Sequence, residues 1–288
     1  MKRMMFLLSA LFATQLFAQP LRLHIGGGFA NYNGDLQAKR FTLNQAHGLV
    51  SAGGTFNLTN KIALRSDYSF TKLEADDKNS SDPGIRRRNL NFKTLIQELT
   101  LMGEYDLFDL SEKKWSPYVF AGIGVYRFSP YTTDSLNRKV FLQALGTEGQ
   151  GLPEFADRKV YKKTQLNIPF GGGLKYALSD DVHLSVEMSV RKLFTDYLDD
   201  VSTTYVDENV LLAGRGQATV DYAFRGDELK TDPQAYPAGG AQRGGSKYKD
   251  LYYFGQVKIS FRMNWFDNVG GFSNGSRKSK VGCPTKVL

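Results

Sequence analysis

The segment LNIPFGGGLKYALSDDVHLSVEMSVR, residues 166–191, decides the fold. Taken every second residue, it reads Leu166, Ile168, Phe170, Gly172, Leu174, Tyr176, Leu178 on one face. The other face carries Asn167, Pro169, Gly171, Gly173, Lys175, Ala177. After Ser179-Asp180-Asp181 the alternation restarts, with Val182, Leu184, Val186, Met188, Val190 against His183, Ser185, Glu187, Ser189, Arg191. A period of two is the signature of a strand with one apolar and one polar face. The two runs last 13 and 10 residues, about twice the ~5–6 of an ordinary globular strand. That length suits a tilted strand crossing a bilayer, one face to lipid and one to a polar interior.

The same reading extends outward along the chain. Tyr253, Gly255, Val257, Ile259, Phe261, Met263, Trp265 alternate with Phe254, Gln256, Lys258, Ser260, Arg262, Asn264. Ile62, Leu64, Tyr68, Phe70 alternate with Ala63, Arg65, Asp67, Ser69, Thr71. Weaker runs at 21–32, 46–58, 94–108 and 118–128 complete a set of eight; the last, YVFAGIGVYRF, is apolar on both faces and its inward set is ambiguous. Connections alternate in length. Those at 58–61, 108–116 and 179–181 are short, and those at 33–44, 74–92, 129–163 and 195–250 are long. Short turns on one rim and long loops on the other describe an all-β, eight-stranded antiparallel transmembrane barrel of the outer-membrane type. Closure also removes the edges that such apolar strands would expose, which a secreted β-sandwich would leave open.

Composition agrees. Of 288 residues, 41% are hydrophobic and 13% aromatic, enough for a packed core and against disorder. Beyond residue 18 no stretch approaches the ~18 consecutive apolar residues of a membrane-spanning helix. The 29 glycines are in excess, and the surplus sits inside strand-like runs, as crowded or curved strands require. A single cysteine, Cys283, excludes an intrachain disulfide. At the N-terminus, Lys2 and Arg3 precede the apolar MMFLLSALFA (4–13), and Ala18 offers a small residue for cleavage. Residues 1–18 therefore read as a cleaved signal peptide. Residues 19–265 form the barrel, and 266–288 a basic tail on the periplasmic side.

The net charge of +8 raises nucleic acid as a partner, but basic residues are interspersed with Asp and Glu and no nucleic-acid role is expected. Arg86-Arg87-Arg88 is a tight cluster assigned to a solvated or lipopolysaccharide-facing loop. Inside the barrel, Arg65, Lys175, Arg191, Lys258 and Arg262 are expected to face Asp67, Glu98, Glu104 and Glu187. An eight-stranded lumen is just wide enough for side chains, so these charges should pair across it and plug it. Catalysis is not expected, because His24, His47 and His183 fall in different strands without a Ser/Asp or metal-ligand pattern. GTEGQG (146–151) lacks the lysine of a phosphate loop and reads as a turn. Asp196, Asp199, Asp200, Asp207 and Glu208 fit no calcium-loop spacing and read as a solvated acidic loop. No cofactor and no metal site follow.

Six separated stretches carry a resemblance: NYNGDL (31–36), RRRNLNFK (86–93), SPYVFAGIGVYRFSP (116–130), LGTEGQG (145–151), IPFGGGLKY (168–176) and RKLFTDYLDDVSTTYVD (191–207). In this order, over about residues 20–265, they resemble the PorG-like outer-membrane barrels of Bacteroidetes, which belong to the type IX secretion machinery. The resemblance implies a structural, non-enzymatic barrel in the outer membrane, contacting its lipids and docking on a periplasmic ring made of a lipoprotein and a partner subunit. Residues 208–250 and 266–288 carry no matching motif. For such a dock, Glu112, Lys113, Lys114 and Trp115 of the 108–116 turn are candidate contacts, with Arg277, Lys278 and Lys280 of the tail, whose basic character suits an acidic partner. Two other readings are a general surface barrel acting through its outer loops and, less favoured, a barrel enzyme.

Overall fold

The computed structural model describes residues 21–263, apart from 38, 40 and 248. The expected signal peptide (1–18), the tail (266–288) and its Arg277, Lys278 and Lys280 lie outside the described residues. Eight long strands follow in chain order: β1 Leu21–Asn33, β2 His47–Asn57, β3 Ile62–Asp76, β4 Asn91–Asp106, β5 Trp115–Arg127, β6 Thr164–Ala177, β7 Val182–Leu193 and β8 Leu251–Arg262. Every strand pairs antiparallel with its sequence neighbours, and β1 pairs with β8, so the ladder closes on itself. The fold is an all-β, eight-stranded antiparallel barrel. Closure leaves no exposed edge among its main strands.

Burial follows the period of two. In β4, alternate residues from Phe92 to Asp106 are buried, while Leu95, Leu99, Leu101 and Tyr105 are exposed on the outer wall. In β5 the structure resolves what alternation left open: Ser116, Tyr118, Phe120 and Tyr126 point inward and Val119, Ile123 and Val125 outward. Apolar exposed side chains continue around the wall through Ile25, Leu64, Phe170, Leu174, Val186 and Val257. Inward glycines let the wall curve tightly. A Cβ on Gly28 would meet the Gly255 carbonyl oxygen at 2.0 Å, and one on Gly53 the Ser66 oxygen at 2.1 Å, so only glycine fits there.

Element boundaries differ from the sequence reading chiefly at the loops. β3 and β4 run further than expected, leaving 77–90 between them, and the turn between β4 and β5 narrows to 107–114. The 194–250 connection contains helices Glu208–Arg215 and Gln217–Ala223. Asp207 caps the first, its carboxylate accepting from the Asn209 and Val210 N–H groups. At the long-loop rim, Tyr32, Phe92, Ile96, Tyr126 and Phe254 of the strands pack with Leu36, Leu90, Phe128, Leu142, Tyr161, Leu198 and Val201 of the loops. The long loops therefore fold into one apolar cap that fills that end of the barrel.

Candidate functional site

Below the cap, the lumen holds a network of buried charges. Arg65 of β3 reaches Glu104 of β4 at 2.9 Å and Glu187 of β7 at 2.8 Å, with its Nε 3.4 Å from Asp67. Lys258 of β8 meets Asp67 at 2.6 Å and Glu187 at 3.1 Å. Tyr118 and Gln256 also donate to Glu187, at 2.6 and 2.7 Å. Lys175 joins Glu104 at 2.5 Å to Asp106 at 2.9 Å. Nearer the cap, Arg191 pairs with Glu98 at 3.1 Å and lies over the Phe254 ring, while Asn167 and Tyr252 donate to the same carboxylate. Partners come from strands on opposite sides of the ladder, so the side chains cross the interior and occupy it. Burial of each charge is tolerable because each meets an opposite charge and further hydrogen bonds.

Arg262, expected among these pairs, stands apart. It sits at the short-turn rim, where its Nε lies 3.4 Å from Asp181 of the β6–β7 turn, and its side chain is a third exposed. Asp106 was missed by the sequence reading, although alternation places it one step beyond Glu104 on the same face.

Toward the short-turn rim the lumen opens into a polar vestibule of about 620 Å³, lined among others by Arg22, His24, Thr55, His183, Ser260 and Arg262. Here His24 hydrogen-bonds Asp67 through Nε2, and its Nδ1 lies 3.4 Å from the Thr55 hydroxyl. Hydroxyl, imidazole and carboxylate thus fall in one line at one rim. The line lacks two requirements of an acyl-transfer site. The hydroxyl is beyond ordinary hydrogen-bond distance, and the carboxylate is shared with Lys258 and Arg65 instead of serving the imidazole alone. Among the described residues, no group of three or more His, Cys, Asp or Glu side chains could hold a metal ion.

The candidate docking residues divide. Glu112, Lys113 and Lys114 are exposed on the 107–114 turn, with the Lys113 ammonium 4.0 Å from the Phe108 ring centre. Trp115 is instead the first residue of β5, paired in register with Tyr176, exposed, and edge-on to the Phe108 ring at 5.2 Å between ring centres. Exposed aromatic rings at the end of a transmembrane barrel's outer wall suit a bilayer surface. Trp115 therefore stands on the outer wall at the edge of the 107–114 turn, and is itself exposed.

The loop cap holds the largest departure from the sequence reading. Glu148 of GTEGQG is fully buried, paired with Arg243 at 2.9 Å, and accepts from the Ser202 and Thr203 N–H groups, the Thr203 hydroxyl and the Tyr197 hydroxyl. Burial opposes its charge, but Arg243 and these donors hold its carboxyl below the usual glutamate range. Asp196, Asp199 and Asp200 are buried rather than solvated. Asp200 accepts from Thr147 and Tyr161, both at 2.6 Å, and burial pushes its carboxyl up to about 6. Burial does the same to Asp196, also to about 6. Asp199 and Asp250 share the Tyr32 hydroxyl at 2.6 and 3.0 Å, and burial, with repulsion from Asp35 on Asp199 and from Asp199 on Asp250, drives both well above the ordinary range. Arg88, assigned to a solvated cluster, is buried against Asp77 at 2.7 Å and donates to the Asp35 carbonyl. These residue types occur equally in exposed loops, and the sequence carries no signal that would separate the two.

The family described as "Domain of unknown function (DUF6089)" matches residues 1–231. The chain belongs to the DUF6089 family. No curated protein matches it in sequence. Among solved structures, this DUF6089 chain is similar to Neisserial surface protein A, with 8% identity, 84% of this chain and 96% of that chain covered, and a TM-score of 0.41. It is similar to Ail of Yersinia pestis at 8% identity, 85% and 98% coverage and a TM-score of 0.40. Outer membrane protein OprG of Pseudomonas aeruginosa gives 11% identity, 85% and 97% coverage and 0.40. The closed ladder and the inside-out polarity of the DUF6089 barrel carry the fold by themselves.

Proposed function

We propose that this protein is an outer-membrane barrel that serves as a structural component and anchor of the type IX secretion machinery, docking to its periplasmic ring. The observation that carries the structural half is the blocked interior, in which crossed ion pairs and a packed loop cap occupy the lumen. A barrel of this kind cannot conduct solute, so its work falls to its rims and outer wall. The apolar exterior suits outer-membrane lipid, and the short turns then face the periplasm. The assignment to type IX secretion rests on the six sequence stretches given above. On the periplasmic side, Glu112, Lys113 and Lys114 offer an exposed, mixed-charge contact group. The His24–Asp67–Thr55 line is read as structural, and the protein as non-enzymatic.

The test is affinity purification of the tagged full chain from detergent-solubilised outer membranes, with mass spectrometry of the co-purifying proteins. A periplasmic lipoprotein and its ring partner are expected, reduced by the double substitution Lys113→Glu, Lys114→Glu. Recovery of an abundant, folded barrel with no periplasmic partner would contradict the secretion role and favour a general surface barrel acting through its ordered outer loops.

A further inference from the structure

On the outer wall, register sets the side chains of β6, β7 and β8 in rows. Phe170, Val190 and Tyr253 are cross-strand neighbours in one row, and Val190 is short between two rings, so the row dips over β7. One row nearer the short turns, Met188 faces Gly172, which has no side chain. The β1–β2 loop folds back over the outside of the wall and completes this dip. Asn31 Nδ2 donates to the carbonyl oxygens of Thr42 at 2.5 Å and Asn44 at 2.9 Å, and the Tyr253 hydroxyl donates to the same Thr42 oxygen. Tyr253 shares the outward parity of Val257 yet is 2% exposed, with the Phe41 ring over it at 5.3 Å between centres. The result is an apolar groove of about 100 Å³, lined by Phe41, Phe170, Met188, Val190 and Tyr253.

Two features of the groove point to an occupant. Phe41 is held at φ 53°, in the left-handed region, where a bulky side chain is strained. Such strain persists where the surroundings over-determine it, and it collects at ligand clamps. The strained, pinned loop nevertheless presents Phe41 and Leu43 outward, both about two-thirds exposed, a placement that gains only against an apolar phase. The second feature is a lone cation at the groove's upper end. Lys192 lies between Ile168 and Leu251, in the row next to Val190 toward the cap, about 7 Å along the strand at ~3.3 Å per residue. It is exposed and in no ion pair among the described residues. The outward faces of β6 and β7 carry no charge from the short turns up to Lys192, so the border between uncharged wall and cation falls at the end of the groove.

We propose that this groove is a lipid site, holding one acyl chain of a phosphate-bearing lipid with its phosphate against the Lys192 ammonium. An apolar slot that ends at an unpaired cation matches the two halves of such a molecule. Chain and slot exclude water from each other, and an ammonium donates charge-assisted hydrogen bonds to a phosphate oxygen. The presence of lipid at this wall rests on the outer-membrane reading above. The secretion role has no part in it.

Native mass spectrometry of the purified full chain in detergent, titrated with dioleoyl phosphatidylglycerol or with dioleoylglycerol, reads the site. Phosphatidylglycerol should bind as a single saturable copy, on the order of tenfold tighter than dioleoylglycerol, the scale of one hydrogen bond to a charged group. Lys192→Gln should erase that preference and leave the weaker chain binding in place. Val190→Phe, which fills the dip, and Phe41→Ala, which removes its outer side, should weaken both lipids together. Lys192 has no partner to lose, so Lys192→Gln keeps the test valid should Val190→Phe fail to fold. Non-saturable uptake, equal binding of the two lipids by the native chain, a preference unchanged in Lys192→Gln, or binding unchanged in the two groove variants would overturn the site. None of these outcomes bears on ring co-purification, and heat-resistant folding in lipid tests the outer-membrane reading apart from the groove, so the proposals fail separately.

Discussion

Val186 and Glu187 are adjacent in β7 and meet opposite surroundings, Val186 54% exposed on the outer wall and Glu187 1% exposed among Arg65, Lys258 and Tyr118. Arginine at position 186 would place a charge against hydrocarbon, at a cost of roughly 2–4 kcal/mol near the bilayer midplane. Val186→Arg should therefore lower the fraction of heat-resistant folded barrel after assembly into lipid, measured by gel mobility, whereas Val186→Leu should not. Equal yield for both would reverse the assigned faces. Glycine gives a second pair of neighbours. Gly28 points inward, where a Cβ would strike the Gly255 carbonyl, while the nearest atom to a Cβ on Gly27 is 3.9 Å away. Gly28→Val should cost at least ~1–3 kcal/mol as overpacking and weaken the β1–β8 seam. Gly27→Val should fold as the native chain does. Denaturant unfolding of both variants in lipid checks the difference, and matching midpoints would contradict it.

The strands were legible because one period governs every residue in them. From Leu166 to Val190, alternation alone assigns each side chain to the wall or the lumen, and the register repeats that assignment across the ladder. The loops obey no such period. Asp196, Asp199 and Asp200 look like solvent-facing acids until Thr147, Ser202, Tyr32, Tyr161 and Arg243 close around them. Those partners come from as far as 167 positions away in the chain, and a single sequence does not show which distant segments meet. The cap has a pH signature. Burial raises Asp196 and Asp200 to about 6, above the ~3.9 of an unfolded aspartate, so the folded cap binds protons more tightly than the unfolded chain. Its stabilisation from these groups is complete below pH ~4 and is lost as pH rises through about 6. Arg243, Lys249, Glu148 and Asp35 act on the same carboxyls, and Asp199 and Asp250 shift in the same direction. Amides of 196–203 should thus exchange more slowly at pH 5 than at pH 7.5 after correction for intrinsic rates. Slower exchange at pH 7.5 would contradict this assignment of the carboxyls.

At the scale of the whole molecule, the candidate site was half visible. Inward parity picked out Arg65, Asp67, Glu98, Glu104, Lys175, Glu187, Arg191 and Lys258 as lumen residues, because a strand's faces are fixed by counting. Depth along the barrel is not fixed by counting, which is why Arg262 proved to sit at the rim. The loop cap, built from segments that share no motif, was invisible. Together the ion pairs and the cap make the barrel a solid body closed at its long-loop end, with a vestibule at the other. The central claim, a structural barrel and not a pore, is tested most directly by incorporating the purified full chain into planar lipid bilayers and recording current under applied voltage. The account predicts no steady conductance above that of the bare membrane. Stable, porin-like current steps from the folded protein would contradict it.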